Sequence, residues 1–250
     1  MKLSICLLLI TVMLMPLRLW AAVWTDEFEE DKLNKAWDTI TDRPEKKGFA
    51  KFEKGKLLLN EPVGNFGHLI KDGRPLVLRD APKGEFSISA LLDSTPEAPA
   101  KSYWIGLFVI GSAKNDAAMS KNWSVLTFGG SNGEVKALIG SMIDDVWNDK
   151  GHFDIPKWPI YLKLEKKETE LNGYYKKNES DDWLQVGTAW NDNLNSPEKV
   201  GLGFINNWGG ANLTLIAEFF TLEGPNVEPF AVESTGKLSM TWGQLKSLEQ

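Results

Sequence analysis

Cysteine is almost absent from this chain: the single one, Cys6, lies in an apolar stretch at the very start. From residue 23 onward there is no disulfide, no thiol nucleophile and no thiolate metal site. Histidine is nearly as scarce. His68 and His152 are the two available for acid–base work, no serine elbow frames either, and zinc would need carboxylates for its remaining ligands. A basic block is lacking too. Lys46, Lys47, Lys54 and Lys56 are interleaved with Glu45 and Glu53, and 28 Lys+Arg against 34 Asp+Glu give a net charge of −6. That balance argues against nucleic acid held by phosphate contacts. Phosphate loops and dinucleotide fingerprints are missing, since Gly201 and Gly203 have neither a third glycine nor a following helix. Between Val23 and Glu223 no helix-period stripe exceeds about two turns.

The first residues bear on the compartment. Lys2 precedes an apolar run from Ser4 to Met15, and Leu19 to Ala22 ends in the small residues that a signal peptidase accepts. Pro16 and Arg18 break the run before the ~20 residues that a membrane span needs. The expectation is a signal peptide over residues 1–22, cut after Ala21 or Ala22, with no membrane span left afterwards. Loss of Lys2 and Arg18 takes the net charge from −6 to −8. The expected location is secreted, periplasmic or cell-surface. An exported chain of 250 residues without disulfides needs a core large enough to do without them.

What is present is a period of two. Phe86, Ile88 and Ala90 alternate with serines; Ile160, Leu162 and Leu164, then Val200, Leu202 and Phe204, then Leu213, Leu215 and Ala217 repeat the pattern. Trp104–Ile110 and Val125–Phe128 read as strands buried on both faces. Turn signals separate them at Lys54-Gly55, Lys71 to Gly73, Gly129 to Gly133 and Asn207 to Gly210. A meander is legible from Ile160–Lys166 through Glu170–Lys176 to Trp183–Ala189, with Leu171, Gly173 and Tyr175 facing the core of Leu162 and Leu164. Eleven to fourteen short strands with polar turns predict an all-β antiparallel sandwich over 23–224. In 225–250, Pro225 and Pro229 mark a linker. Leu238, Trp242, Leu245 and Leu248 then share one face of a short helix, which docks on the sandwich or takes a protein partner.

The residues from Trp24 to Phe28 with Leu33 and Trp37, and the strand from Gly55 to Leu59, resemble the opening of concanavalin A-like lectin/glucanase sandwiches. The hairpins Tyr161 to Glu165, Leu171 to Tyr175 and Asp182 to Val186 are similar to the central strands of the laminin-G-like and β-xylosidase C-terminal branches. Val200 to Phe204 and Ala217 to Phe220 match the closing strands. The likeness spans Val23 to Glu223 and implies a two-sheet jelly roll. Glycosidases of that superfamily carry a Glu-x-Asp-x-x-Glu strand, whose paired carboxylates do the chemistry; it is absent here. The resemblance also implies a structural Ca²⁺ site near the terminal strands, with Asp26, Glu27 and Glu218 as its ligands; no other cofactor is expected.

Tryptophan is the abundant residue, with eleven. Indole stacks on the C–H face of a pyranose, and its N–H can bond a hydroxyl. Trp24, Trp37, Trp104 and Trp183 read as core. Trp123, Trp147, Trp190 and Trp208 lie in polar segments and read as exposed or at a rim. Ser141–Asp154, holding Asp144, Asp145, Trp147, Asp149, His152 and Asp154, has no strong strand pattern and reads as a loop. Trp147, His152, Trp190, Asn207 and Trp208 are therefore the candidate ligand-binding residues. The leading expectation is a non-catalytic, lectin-like module for a carbohydrate or glycoconjugate. The alternatives are a glycan hydrolase, with Asp144 or Asp145 and Asp154 as the first suspects, and an adhesion or scaffold module.

Overall fold

The computed structural model describes residues 22–30, 32–37, 39–41, 50–61, 76–95, 103–111, 122–131, 134–144, 146–192, 194, 196–207 and 213–227. Residues 1–21, all but the last residue of the expected signal peptide 1–22, and 228–250, with the expected C-terminal helix, lie outside them; Ala22 opens β1. The elements are β1 (Ala22–Asp26), β2 (Thr39–Thr41), β3 (Ala50–Phe52), β4 (Leu57–Glu61), β5 (Leu76–Asp80), β6 (Phe86–Thr95), β7 (Tyr103–Ile110), β8 (Trp123–Ser131), β9 (Glu134–Ile143), β10 (Val146–Asp154), β11 (Ile160–Lys167), β12 (Glu170–Lys176), β13 (Leu184–Trp190), β14 (Lys199–Asn207) and β15 (Leu213–Gly224). They form two antiparallel sheets. The eight-stranded sheet runs β13-β12-β11-β6-β15-β4-β3, with β1 also on β15; the seven-stranded sheet runs β10-β9-β8-β7-β14-β5-β2.

Alternation builds the sandwich. In β6 every second residue from Phe86 is buried, and Ile160, Leu162 and Leu164 of β11 lie beside Leu92, Ala90 and Ile88. These side chains meet Ile105, Leu107, Leu126, Phe128 and Phe204 of the other sheet in one core. Burial of each such side chain contributes about 1.5–3 kcal/mol. All eight residues of β7 are buried, as its unbroken apolar run predicts. Its second face joins Trp104, Phe108 and Ile110 to Leu76, Leu78, Trp123, Val125, Leu138, Met142 and Ile205 in a separate cluster.

Three expectations are corrected. Ser141–Asp154 is not a loop but the end of β9 and the whole of β10, an edge strand whose residues are largely solvated and so carry no apolar alternation. The glycine-rich turn after Phe128 is shorter than expected, because Gly129, Gly130 and Ser131 continue β8 against β7 and β9. Trp123 and Trp190, expected at a rim, are 0% and 7% exposed. Trp190 faces inward because it lies an even number of residues from buried Val186 and stands opposite buried Leu171 of β12.

Candidate functional site

The site grows from one irregularity. Along β10, Trp147 stands opposite Met142, Asp149 opposite Gly140, His152 opposite Leu138 and Asp154 opposite Lys136, with a bulge between Asp149 and Gly151. Met142, Gly140, Leu138 and Lys136 alternate along β9, so Trp147, Asp149, His152 and Asp154 share one face. Gly151 makes the bulge possible. Its φ is 136°, and a Cβ there would lie 2.8 Å from the Phe153 ring.

On that face His152 Nε2 and Asp149 Oδ2 are 2.9 Å apart, and the two side chains are 40% and 46% exposed. The Gly151 amide donates to Asp149 Oδ1 at 2.9 Å, so both carboxylate oxygens are engaged. The imidazole stands edge-on to Trp104, 5.0 Å between centroids and 82° between planes. With Nε2 held by the carboxylate, Nδ1 is the ring nitrogen open to a ligand. Trp147 lies half-buried farther along the same face, 5.6 Å from the Trp123 ring.

Lys150, the extra residue of the bulge, goes elsewhere. Its Nζ meets Asp192 Oδ1 at 2.8 Å, and the Asp192 side chain is 2% exposed. Ser124 Oγ donates to Asp192 Oδ2, and Ser141 Oγ to Oδ1 at 3.1 Å. The segment after β13 is thus tied to β8, β9 and β10 through one buried carboxylate.

The structure brings together two of the five candidate ligand residues, Trp147 and His152. Trp190 lies in the core. Asn207 ends β14 opposite Tyr103, and Trp208 lies outside the described residues. The three candidate Ca²⁺ ligands do not converge. Asp26 is buried and accepts from the Phe28 amide and from Trp37 Nε1, each at 2.8 Å; Glu27 is exposed; Glu218 pairs with Lys56 at 2.6 Å. Among the described residues no group of three or more His, Cys, Asp or Glu side chains is placed for a metal. Asp144 and Asp154 sit at opposite ends of the β9–β10 hairpin, roughly 24 Å apart at about 3.4 Å per residue, which separates them far beyond either glycosidase geometry. Asp145 lies outside the described residues. Asp149 and Trp104 are the site residues that sequence reasoning missed. Asp149 was visible as one of several acids, but its odd spacing from His152 predicts opposite faces in a regular strand.

No family model matches the chain, and no curated protein matches it. Solved structures do. A xylan β-1,4-xylosidase from Bacillus halodurans superposes with a TM-score of 0.63 at 16% identity, over 80% of this chain and 38% of the enzyme. The Bacteroides ovatus xyloglucan PUL protein GH43B gives 0.64 at 18%, over 80% and 39%. An engineered GH43 glycoside hydrolase with endo-xylanase and exo-arabinofuranosidase activity gives 0.57 at 12%, over 82% and 41%. The sandwich is one that GH43 glycoside hydrolases also carry. The chain spans about two fifths of the length of these relatives. The expectation of a non-catalytic lectin-like module is corrected by these three, which are structures of glycan-cleaving enzymes; the hydrolase alternative is the reading they favour.

Proposed function

We propose that the protein is a glycan-acting hydrolase, exported and built on a concanavalin A-like sandwich, with xylan-type pentose polymers as its substrate class. The observation that carries this reading is the superposition of four fifths of the chain on GH43 enzymes described as xylosidase, xylanase or arabinofuranosidase. The β10 edge is the surface where the reading places the glycan. An extended chain of sugars lying along it passes Trp147, the Asp149–His152 pair and Asp154 in turn. Trp147 offers an apolar face to a sugar ring. His152, oriented by Asp149 and by the Trp104 ring, donates a proton from Nδ1 to the departing glycosidic oxygen while a water attacks the anomeric carbon and passes its proton to Asp154. Asp154 is the second carboxylate of that edge; its one ion-pair contact, with Lys136 Nζ, is long at 4.0 Å.

The test is release of reducing ends from xylan and arabinoxylan, and of phenol from aryl xyloside and arabinofuranoside, by the full chain. Release is expected, falling about 100-fold or more in Asp149→Asn and His152→Gln with unfolding midpoints unchanged. Failure of the wild-type protein to cleave any of the four would overturn the proposal. Cleavage that survives both substitutions would move the chemistry away from β10.

A further inference from the structure

The outer face of the eight-stranded sheet holds a second constellation, on β11, β12 and the segment entering β13. Lys163 Nζ lies 4.5 Å from the Tyr174 ring centroid and 5.1 Å from that of Trp183. Lys176 Nζ lies 5.1 Å from Tyr161 and 5.0 Å from Trp183. Tyr161 in turn packs on Phe219, 6.0 Å between centroids. The indole of Trp183 is thus flanked by two ammonium groups on a strip of half-buried rings. Trp183 is no core residue, contrary to the sequence-based expectation.

Charge separates this strip from an ordinary solvated sheet face. Most cations nearby are spoken for: Lys167 pairs with Glu165 at 3.0 Å and Lys56 with Glu218 at 2.6 Å, while Lys177 donates to the carbonyls of Lys157 and Pro159. Lys163 and Lys176 have no carboxylate partner among the described residues; Lys176 donates only to the Glu179 carbonyl, at 2.5 Å. Acids near the strip include Glu165 and Glu218, both already paired, Glu179, which with Glu218 acts on Tyr161, and the exposed Asp181 and Asp182 before Trp183, of which Asp181 accepts from Asn178. Two half-buried cations without a carboxylate partner among the described residues thus lie on an aromatic bed in a chain whose net charge is −6. Burial and the neighbouring carboxylates push the Tyr161 and Tyr174 hydroxyls above the usual phenol range, so both remain neutral donors at physiological pH.

We propose that this strip is a docking surface for acidic polysaccharide, in which uronate carboxylates draw Lys163 and Lys176 off the Tyr174 and Trp183 rings they now cover and sugar rings stack on the faces so uncovered. Ring stacking selects saccharide over other polyanions, and the two ammonium groups select acidic over neutral chains. The surface lies on the opposite sheet from β10 and rests on the reading of the protein as glycan-acting, adding to it a substrate decorated with uronic acid.

The experiment is affinity electrophoresis of the full chain through native gels containing polygalacturonate, or neutral arabinoxylan at equal mass. Retardation by polygalacturonate is expected, at least tenfold weaker in Lys163→Gln/Lys176→Gln and in Trp183→Ala, and unchanged in Lys54→Gln, which removes an exposed cation at the β3–β4 turn. Raising salt to about 0.5 M should abolish it. Retardation by neutral arabinoxylan that Lys163→Gln/Lys176→Gln weakens equally, no retardation of the wild-type protein by polygalacturonate, or full retardation of folded Lys163→Gln/Lys176→Gln would each overturn the proposal. Cleavage of aryl glycosides, too short to reach the strip, reads the β10 site separately. A wild-type protein that turns over aryl glycosides but is not retained therefore overturns only the docking surface, and a wild-type protein that is retained without turnover overturns only the hydrolase.

Discussion

At the scale of single residues, the buried polar groups are the most sensitive positions. Asp192 is the buried acceptor for Lys150, Ser124 and Ser141. Asp192→Ala leaves a cation and two hydroxyls without it and is expected to cost about 3 kcal/mol, measured as a fall in unfolding free energy in urea. Asp26 holds Trp37 by its indole N–H and the chain turn by the Phe28 amide. Asp26→Ala should cost about 2 kcal/mol, since two donors lose their acceptor in a closed site. Gly140 has a different reason to be invariant under design: a Cβ there would lie 2.3 Å from the Trp147 ring. Gly140→Val should drive Trp147 off Trp123, red-shifting indole fluorescence and costing about 1–3 kcal/mol.

At the scale of elements, β10 shows how an edge strand can look like a loop in sequence. One of its faces is solvated and its ladder is broken at Lys150, so no alternation of apolar residues marks it. The same break decides the site. Asp149 and His152 are three residues apart, which in a regular strand puts them on opposite faces; the bulge brings them to 2.9 Å. Gly151→Val cannot hold a φ of 136° against the Phe153 ring. It should cost about 1–3 kcal/mol and, by misaligning the pair, lower glycan cleavage as far as His152→Gln does, with far-ultraviolet circular dichroism retained. In β13, Trp190 faces inward opposite Leu171 of β12 from a segment whose polarity suggested a rim.

At the scale of the whole molecule, both sheets share one core, so titration of groups on either side reads out in a single unfolding transition. Burial pushes Lys166 below the usual lysine range, opposed by Glu85; its partners are the Gly84 and Glu168 carbonyls. Below the ordinary value of about 10.4 the unfolded chain binds that proton more tightly, so stability rises as pH climbs through the folded value. Tyr161 and Tyr174 act in the opposite sense. Burial raises both, with help from Glu179 and Glu218 at Tyr161 and from Glu165 at Tyr174. The folded chain keeps these protons longer, so their contribution is complete below about pH 10 and is lost above it. Urea midpoints should therefore rise and then fall across the alkaline range, with Lys166→Met flattening the rise and Tyr161→Phe/Tyr174→Phe the fall.

Period-two patterning was enough to decide the class of fold, the meander of β11 to β13 and the doubly buried β7, because alternation and continuous apolar runs are local properties of a strand. The burial of Trp104, within the apolar run of β7, was legible for the same reason. Which tryptophans reach solvent was not: Trp123, Trp183 and Trp190 all differ from what their polar or apolar neighbours suggest, since exposure depends on the face that register assigns and on what the opposite sheet covers. The pairing of Asp149 with His152 and of Lys150 with Asp192 depends on a one-residue bulge and on a partner 42 positions away in the numbering. Long-range register sets both, and no local sequence signal encodes it.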